Sequence, residues 1–544
     1  MSPLKNATLP SGSDDIVHVA PGGWYYYGLD WDDTGTQQCL FETAKYNTAT
    51  HVYYGFRKYY NETRNGIWGT PQLVSDTAVS AYPYYPFTDA NQRVHALFEY
   101  EGTGDKFTLY CAMQKKPTPP ATTYFFAEGT TRPGFQQWLC LQNPGGDDAS
   151  AAITYMLGTG ENKVQEVGVP AHSRVTVDVN AFVGPGQDVS ALVSADRLIV
   201  AERPMYFAYG DRQWPGGSDA VGSDDTGRVW YFAEGTTRSE FSEYLTLQNP
   251  SPYDATVTVT YMLGDGTTQK QDVSVPRRSR ATVDVKASIG EGKDVSMQVE
   301  SDNAAVVAER PMYFDYKNQG WTGGHNSMGS LSLDTNWYFA EGTTRGGFDT
   351  YLCVQNPNAH SGTATITYIL GDGSTSVQHL DLPATSRQTV NVNERVGAEK
   401  DVSIALASSL PVLAERPMYF YYHGIAPGGH VAMGALEPKN SWYFAEGTTR
   451  PGFDEWISLE NPGALDAKAT LSYMLGDGSV VDQHVSMPAH TRVTVDVKAA
   501  VGEGKDVSTA VWSDLGIIAE RPMYFVPTPS TPTIQPGGTD VLGL

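Results

Sequence analysis

Ala201-Glu202-Arg203-Pro204-Met205-Tyr206-Phe207 is written four times in this chain. It returns at residues 308–314, 414–420 and 519–525, with its acids at Glu309, Glu415 and Glu520, every 105–107 residues. A second signature, Tyr-Phe-Ala-Glu-Gly-Thr-Thr-Arg, keeps the same period, with Glu234, Glu341 and Glu446; a variant opening Phe125-Phe126 carries Glu128. A fixed period over four copies marks a tandem array of one supersecondary unit. The 544 residues therefore divide by repeat rather than by length alone. A flexible arm covers 1–23, and a β-rich leader with a Pro-rich linker covers 24–120. Repeats then span 121–229, 230–335, 336–440 and 441–526, and a Pro/Thr-rich tail able to donate a strand covers 527–544. Each repeat is long enough to bury a core of its own.

Within the first repeat the pattern is short strands. Trp138-Leu-Cys-Leu-Gln-Asn stops at Pro144, Ala152-Ile-Thr-Tyr-Met-Leu at Gly158, and Lys163-Val-Gln-Glu-Val-Gly-Val at Pro170. Three more follow, beginning at Arg174, Val189 and Leu198. With Tyr124-Phe-Phe-Ala this makes about seven short strands and no helical stretch, the pattern of an immunoglobulin-like sandwich. The Leu-Gly-Asp-Gly runs at residues 263–266, 370–373 and 475–478 suit hairpin turns, which need positive φ. The fold class is all-β: an N-terminal β-rich domain followed by four tandem immunoglobulin-like sandwiches. The Pro of each Glu-Arg-Pro removes a ladder donor and is expected at a bulge or an edge strand.

In the leader, residues 93–101 and 107–113 alternate and flank Gly102-Thr-Gly-Asp, a hairpin pattern. Cys39 and Cys111 share this region and can pair with one another.

The chain is acidic, net −24, with 18% charged residues. Phosphate binding needs a basic face, so nucleic acid is not an expected partner. No apolar run is long enough to span a bilayer. The first residues lack the apolar stretch of a secretory signal, yet Asn6-Ala-Thr and Asn61-Glu-Thr match the glycosylation sequon. We read the chain as extracellular or cell-surface: a mature form, a fragment, or a chain with a misassigned start.

Each repeat carries an acid in Ala-Glu-Gly and a guanidinium in Glu-Arg-Pro on apolar-flanked strands. A carboxylate there needs a partner, and Arg supplies a bidentate one. The expected structural pairs are Glu128 with Arg203, Glu234 with Arg310, Glu341 with Arg416 and Glu446 with Arg521. The other Glu and Arg of the two motifs can extend or exchange these pairs. The alternative makes Glu128 and Glu202 a glycosidase acid/base pair, but four equal copies suit a fold-keeping device better. No nucleophile–base pair, zinc spacing or phosphate loop recurs, so we expect no enzyme, no catalytic residue, no metal and no cofactor. Cys140, Thr246, Cys353 and Ser458 occupy one repeated position, read as a small strand site. His325 and His430 sit in Gly-Gly-His loops, read as junction turns whose glycines admit a neighbouring module. Trp138, Tyr244, Tyr351 and Trp456 recur and are either core or sugar-stacking aromatics.

Two resemblances add to this reading. Trp-Tyr-Phe-Ala-Glu-Gly-Thr-Thr-Arg, Leu-x-Leu-Gln-Asn-Pro, Tyr-Met-Leu-Gly-Asp-Gly, Ser-Arg-x-Thr-Val-Asp-Val and Ala-Glu-Arg-Pro-Met-Tyr-Phe resemble a family of tandem β-sandwich repeats. The family belongs to large secreted or surface proteins of actinobacteria and related bacteria. The resemblance implies an extracellular address and no known chemistry. The stretch from Trp68 to Tyr100 is similar to one blade of a sialidase-like propeller, but the leader has room for about two blades, too few to close a ring. From all this we expect a rod-like surface stalk or filament subunit, self-associating end to end or binding cell-surface and matrix components. The alternatives are a multivalent adhesin that binds glycans, or the stalk of an enzyme seated in the leader.

Overall fold

The computed structural model describes residues 120–528 and 535–544 throughout, and the strands between Trp24 and Met113. It divides into two units, Met1–Pro117 and Thr118–Leu544. In the first, Trp24–Trp31, Gln37–Asn47 and Val52–Arg64 form one antiparallel sheet, with Ile67–Trp68 and Gln72–Asp76 both on Val52–Arg64. A second sheet is built around Val94–Glu101, which pairs with Phe107–Met113 as the expected hairpin, Glu101 opposite Phe107. The Cys39 and Cys111 side chains, the arm 1–23 and most of the linker lie outside the described residues.

The second unit is nearly all β. In the first module the strands are β1 (Ala121–Phe126), β2 (Phe135–Asn143), β3 (Ala149–Leu157), β4 (Asn162–Val169), β5 (Ser173–Asp178), β6 (Val189–Glu202), β7 (Met205–Tyr209) and β8 (Trp214–Ser218). Strand β6 belongs to both layers. Its first half pairs with β3 and β1, and its second half with β2, Glu202 opposite Cys140. Alternate residues of both layers face inward. Tyr124, Leu139, Leu141, Ile153, Tyr155 and Val193 fill the core. Tyr124 Oη donates to the Ile199 carbonyl at 2.8 Å. In the other modules Trp230, Trp337 and Trp442 take that position, and their indole N–H groups donate to Val306, Val412 and Ile517 carbonyls at 2.9–3.0 Å. A buried aromatic with a polar tip needs such an acceptor. The Gly-Asp-Gly turns form as expected: Asp265 Oδ1 accepts the Thr267 amide at 2.9 Å, and Gly266 sits at φ +82.

Two sequence expectations fail locally. Each module does contain one short helix; the first is α1 (Val179–Val183), capped by Asp178, whose side chain accepts the Ala181 amide. The Asp of Thr-Val-Asp-Val thus ends its strand and caps the helix that follows. The Glu-Arg-Pro prolines sit at neither a bulge nor an edge. Pro311 lies inside the strand Val307–Tyr316, opposite Asn326 on one side and in unbroken register with Phe241–Asn249 on the other. The cost is one missing ladder donor. In the first module the carbonyl of Pro204 still accepts from Trp138 at 3.0 Å, and the Arg203 amide still donates to Ala220.

The four modules do not string out as a rod; they close on themselves. Each Phe of Met-Tyr-Phe lies over a glycine of the next module: Phe207 over Gly324, Phe314 over Gly429, Phe420 over Gly538, and Phe525 back over Gly217. A Cβ on Gly217 would stand 2.7 Å from the Phe525 ring. The Gly-Gly segments, expected as junction turns, are inner strands: β8, Trp321–Met328, Ala426–Met433 and Gly537–Leu542. They meet around the centre, where a Cβ on Gly216, Gly323 or Gly428 would come 3.1–3.2 Å from the next module's glycine Cα. The tail is one of these four. Gly537–Leu542 pairs with the strand Val507–Phe525 of its own chain, and Leu544 packs against the first module's core. It completes the fourth module, filling the place that β8 fills in the first.

Candidate functional site: the buried seams between modules

The recurring charged residues meet at the seams. Arg203 reaches Glu309 at 2.9 Å, Arg310 reaches Glu415 at 3.0 Å, Arg416 reaches Glu520 at 2.7 Å, and Arg521 reaches Glu202 at 2.8 Å. All eight side chains are fully buried. The carboxylates also accept backbone amides of the preceding module: Ala127 on Glu309 at 2.6 Å, Glu234 on Glu415 at 2.6 Å, and Ala445 on Glu202 at 2.8 Å. A buried ion pair is tolerable when its remaining valences are satisfied in this way.

The pairs expected from sequence are not the ones made. Arg203 touches only the backbone carbonyl of Glu128, at 2.5 Å, and Arg310, Arg416 and Arg521 treat Glu234, Glu341 and Glu446 alike. The Ala-Glu-Gly acids go instead to the Arg of Ser-Arg or Thr-Arg in the next module. Glu128 meets Arg280 at 3.1 Å, Glu234 meets Arg387 at 3.2 Å, Glu341 meets Arg492 at 3.1 Å, and Glu446 meets Arg174 at 2.7 Å. Each also accepts from the repeated small residue: Thr246 at 2.6 Å, Cys353 at 2.7 Å, Ser458, and Cys140 at 2.6 Å. That position is therefore an O–H or S–H donor site, which explains why only Cys, Thr and Ser occur there. Glu128 and Glu202 serve different seams and share no cleft.

Several buried acids stand where another module has a neutral residue. Glu243 and Glu455 correspond to Gln137 and Thr350, and burial pushes both carboxyls up to about 8. Glu460 stands where Gln142, Gln248 and Gln355 send amides across the seam, and burial pushes it well up. Asp219 and Asp540 share an Arg with Glu202 and Glu520 and take the place of Asn326, whose amide donates to Glu309. Burial first, then the neighbouring glutamate, pushes both aspartic acids well up. A protonated Asp repeats the donation that Asn326 makes.

On the inner strands His325 and His430 are buried beside Phe314 and Phe420, and desolvation pushes both well down, with Arg310 and Arg416 adding to it. No group of three or more His, Cys, Asp or Glu suited to a metal occurs among the described residues.

A column of aromatics covers three seams. Tyr209 stacks on Tyr313 at 3.8 Å, Tyr316 on Tyr419 at 4.1 Å, and Tyr422 on Tyr524 at 4.2 Å. Tyr209 and Tyr316 also bond Tyr244 and Tyr351 through their hydroxyls, at 2.8 and 2.7 Å. At the closing seam, between the fourth module and the first, the corresponding residue is Pro527. Tyr206, the counterpart of Tyr313, is accordingly half-buried, while Tyr313, Tyr419 and Tyr524 are 4–5% exposed. A cleft of about 960 Å³ opens there, lined by Trp138, Tyr206, Phe453 and Arg450 among others.

A family of unknown function, DUF5719, matches residues 226–309, a stretch lying mostly within the second module. No curated protein matches the chain. Among solved structures, Thermotoga maritima 1070 is 17% identical over 19% of this chain and 93% of its own, with a TM-score of 0.18. The Anabaena sensory rhodopsin transducer is 23% identical over 16% and 99%, at 0.15. A tetra-tandem repeat from the extending region of a large adhesion protein is 9% identical over 74% and 93%, at 0.10. At these scores the likenesses carry no argument, and the chain is similar to DUF5719 proteins over that one stretch.

Proposed function

We propose that this is a non-enzymatic structural or adhesive protein of the cell exterior, in which four β-sandwich modules form one closed, rigid ring. The observation that supports it most is the fate of the repeated ionisable groups. Every copy of the Glu-Arg-Pro ion pair is consumed between modules, fully buried, and holds neighbours together. Such a constellation stabilises an assembly and presents no group to a substrate. The multivalent form of the adhesin reading is weakened by the same geometry, because Tyr244 and Tyr351 are engaged by tyrosines of the preceding module. The end-to-end filament also loses its motive, since the strand that would join subunits is seated in its own module. The expected partners are thus cell-surface or matrix components rather than further copies of the chain. Brief protease treatment of intact source cells tests the address: the reading requires loss of the protein while a cytosolic marker survives. Protection equal to that of the marker contradicts it.

A further inference from the structure

The four seams are built alike except one, and the exception is a cleft. At the closing seam Pro527 replaces the tyrosine that covers the other three, and it is itself exposed. Tyr206, partly exposed here and packed edge-on by Phe453 and Phe525, borders about 960 Å³ of space together with Trp138, the half-buried counterpart of Tyr244. Three primary amides, Gln136, Gln213 and Gln535, line the same space. The charges at the cleft are cancelled in pairs. Arg450 is held by Asp506 at 2.6 Å and Arg174 by Glu446 at 2.7 Å.

We propose that this cleft binds a neutral oligosaccharide, one pyranose ring lying on Tyr206 and Trp138 with its hydroxyls bonded by the three glutamines. An aromatic face suits the C–H side of a sugar ring. Amides offer donors and acceptors in equal measure, which matches hydroxyl groups. Paired charges leave no net attraction for an ion, and the volume is within the range of small-ligand sites. Multivalency is absent by construction, because only this seam lacks its tyrosine. The inference goes beyond the structural reading of the ring and does not depend on the cellular address.

Isothermal titration calorimetry of the full chain tests it, against gluco-, manno-, galacto-, xylo- and N-acetylglucosamine oligomers of two to four units. At least one is expected to bind with Kd below about 1 mM, and to weaken about tenfold or more in Trp138→Ala. Pro527→Tyr restores the missing cover and is expected to abolish binding with the circular dichroism spectrum unchanged. Tyr244→Phe, the same position in a covered seam, is expected to bind as the parent does. Failure of every oligomer to bind, or binding that survives both Trp138→Ala and Pro527→Tyr, overturns the proposal.

Discussion

Arg310 shows what a single seam residue contributes. Its ion pair is with Glu415, and Val431 stands where two other modules place a second paired acid, Asp219 or Asp540, while Glu243 and Glu234 add to the field at Arg310. Replacing Arg310 by Met strands a buried carboxylate and is expected to cost about 3–5 kcal/mol. Adding Glu415→Gln, which keeps an acceptor for the Glu234 amide, should recover most of that in a denaturant titration. A double variant no more stable than Arg310→Met would show that the charge pair is not the source of the loss. The acids at Glu243 and Glu455 predict a pH dependence. Their carboxyls lie near 8 when folded, against a usual value of 4.5. Between those limits the folded state holds protons that the unfolded chain has released, so stability falls as pH rises through the window. The slope is about 1.4 kcal/mol per pH unit for each carboxyl. Gln137 already shows the neutral alternative in the first module. Glu243→Gln with Glu455→Gln should therefore make the profile of melting temperature shallower from pH 5 to 8, the remainder coming from Glu460, Asp219 and Asp540; an unchanged slope would place the titration elsewhere.

The inner strands decide whether the seams can close. Gly217 admits the Phe525 ring from the fourth module, and a valine there is expected to force that seam apart by direct overlap. Gly168, where an added Cβ would meet nothing within 4 Å, is the control, and alanine there should leave closure intact. Removing residues 535–544 deletes the strand Gly537–Leu542 and uncovers Arg416, which loses Asp540. The truncated chain should expose a sheet edge and associate with itself on size-exclusion chromatography. Elution at the parent's position would mean that the strand is dispensable. The role of this tail was legible and was missed. Pro536-Gly-Gly repeats Pro215-Gly-Gly and Pro427-Gly-Gly, 109 residues beyond the latter and close to the repeat's own period. Read as a repeat rather than as a terminus, it belongs to the fourth module. The strands themselves, the Gly-Asp-Gly turns and the leader's hairpin could all be read from alternation and turn chemistry.

At the scale of the whole molecule, sequence alone could not choose between a rod and a ring. Tandem copies show the same motifs whether a glutamate meets the arginine of its own module or of its neighbour. Closure depends on the small rotation relating one module to the next, which no residue pattern spells out. The same ambiguity misassigned the ion pairs, although the residue types and their burial were right. The Ser-Arg or Thr-Arg arginines, Arg174, Arg280, Arg387 and Arg492, were visible as part of a repeated motif, but only the seam showed that they hold the Ala-Glu-Gly acids. The closing seam carries the central claim, because Arg521 with Glu202 and Phe525 over Gly217 join the last module to the first. Negative-stain class averages of the purified full chain, taken across a range of concentrations, test it directly. The account predicts single-chain particles with four lobes joined in a closed ring. Four beads in an open line, or filaments that lengthen with concentration, would contradict it.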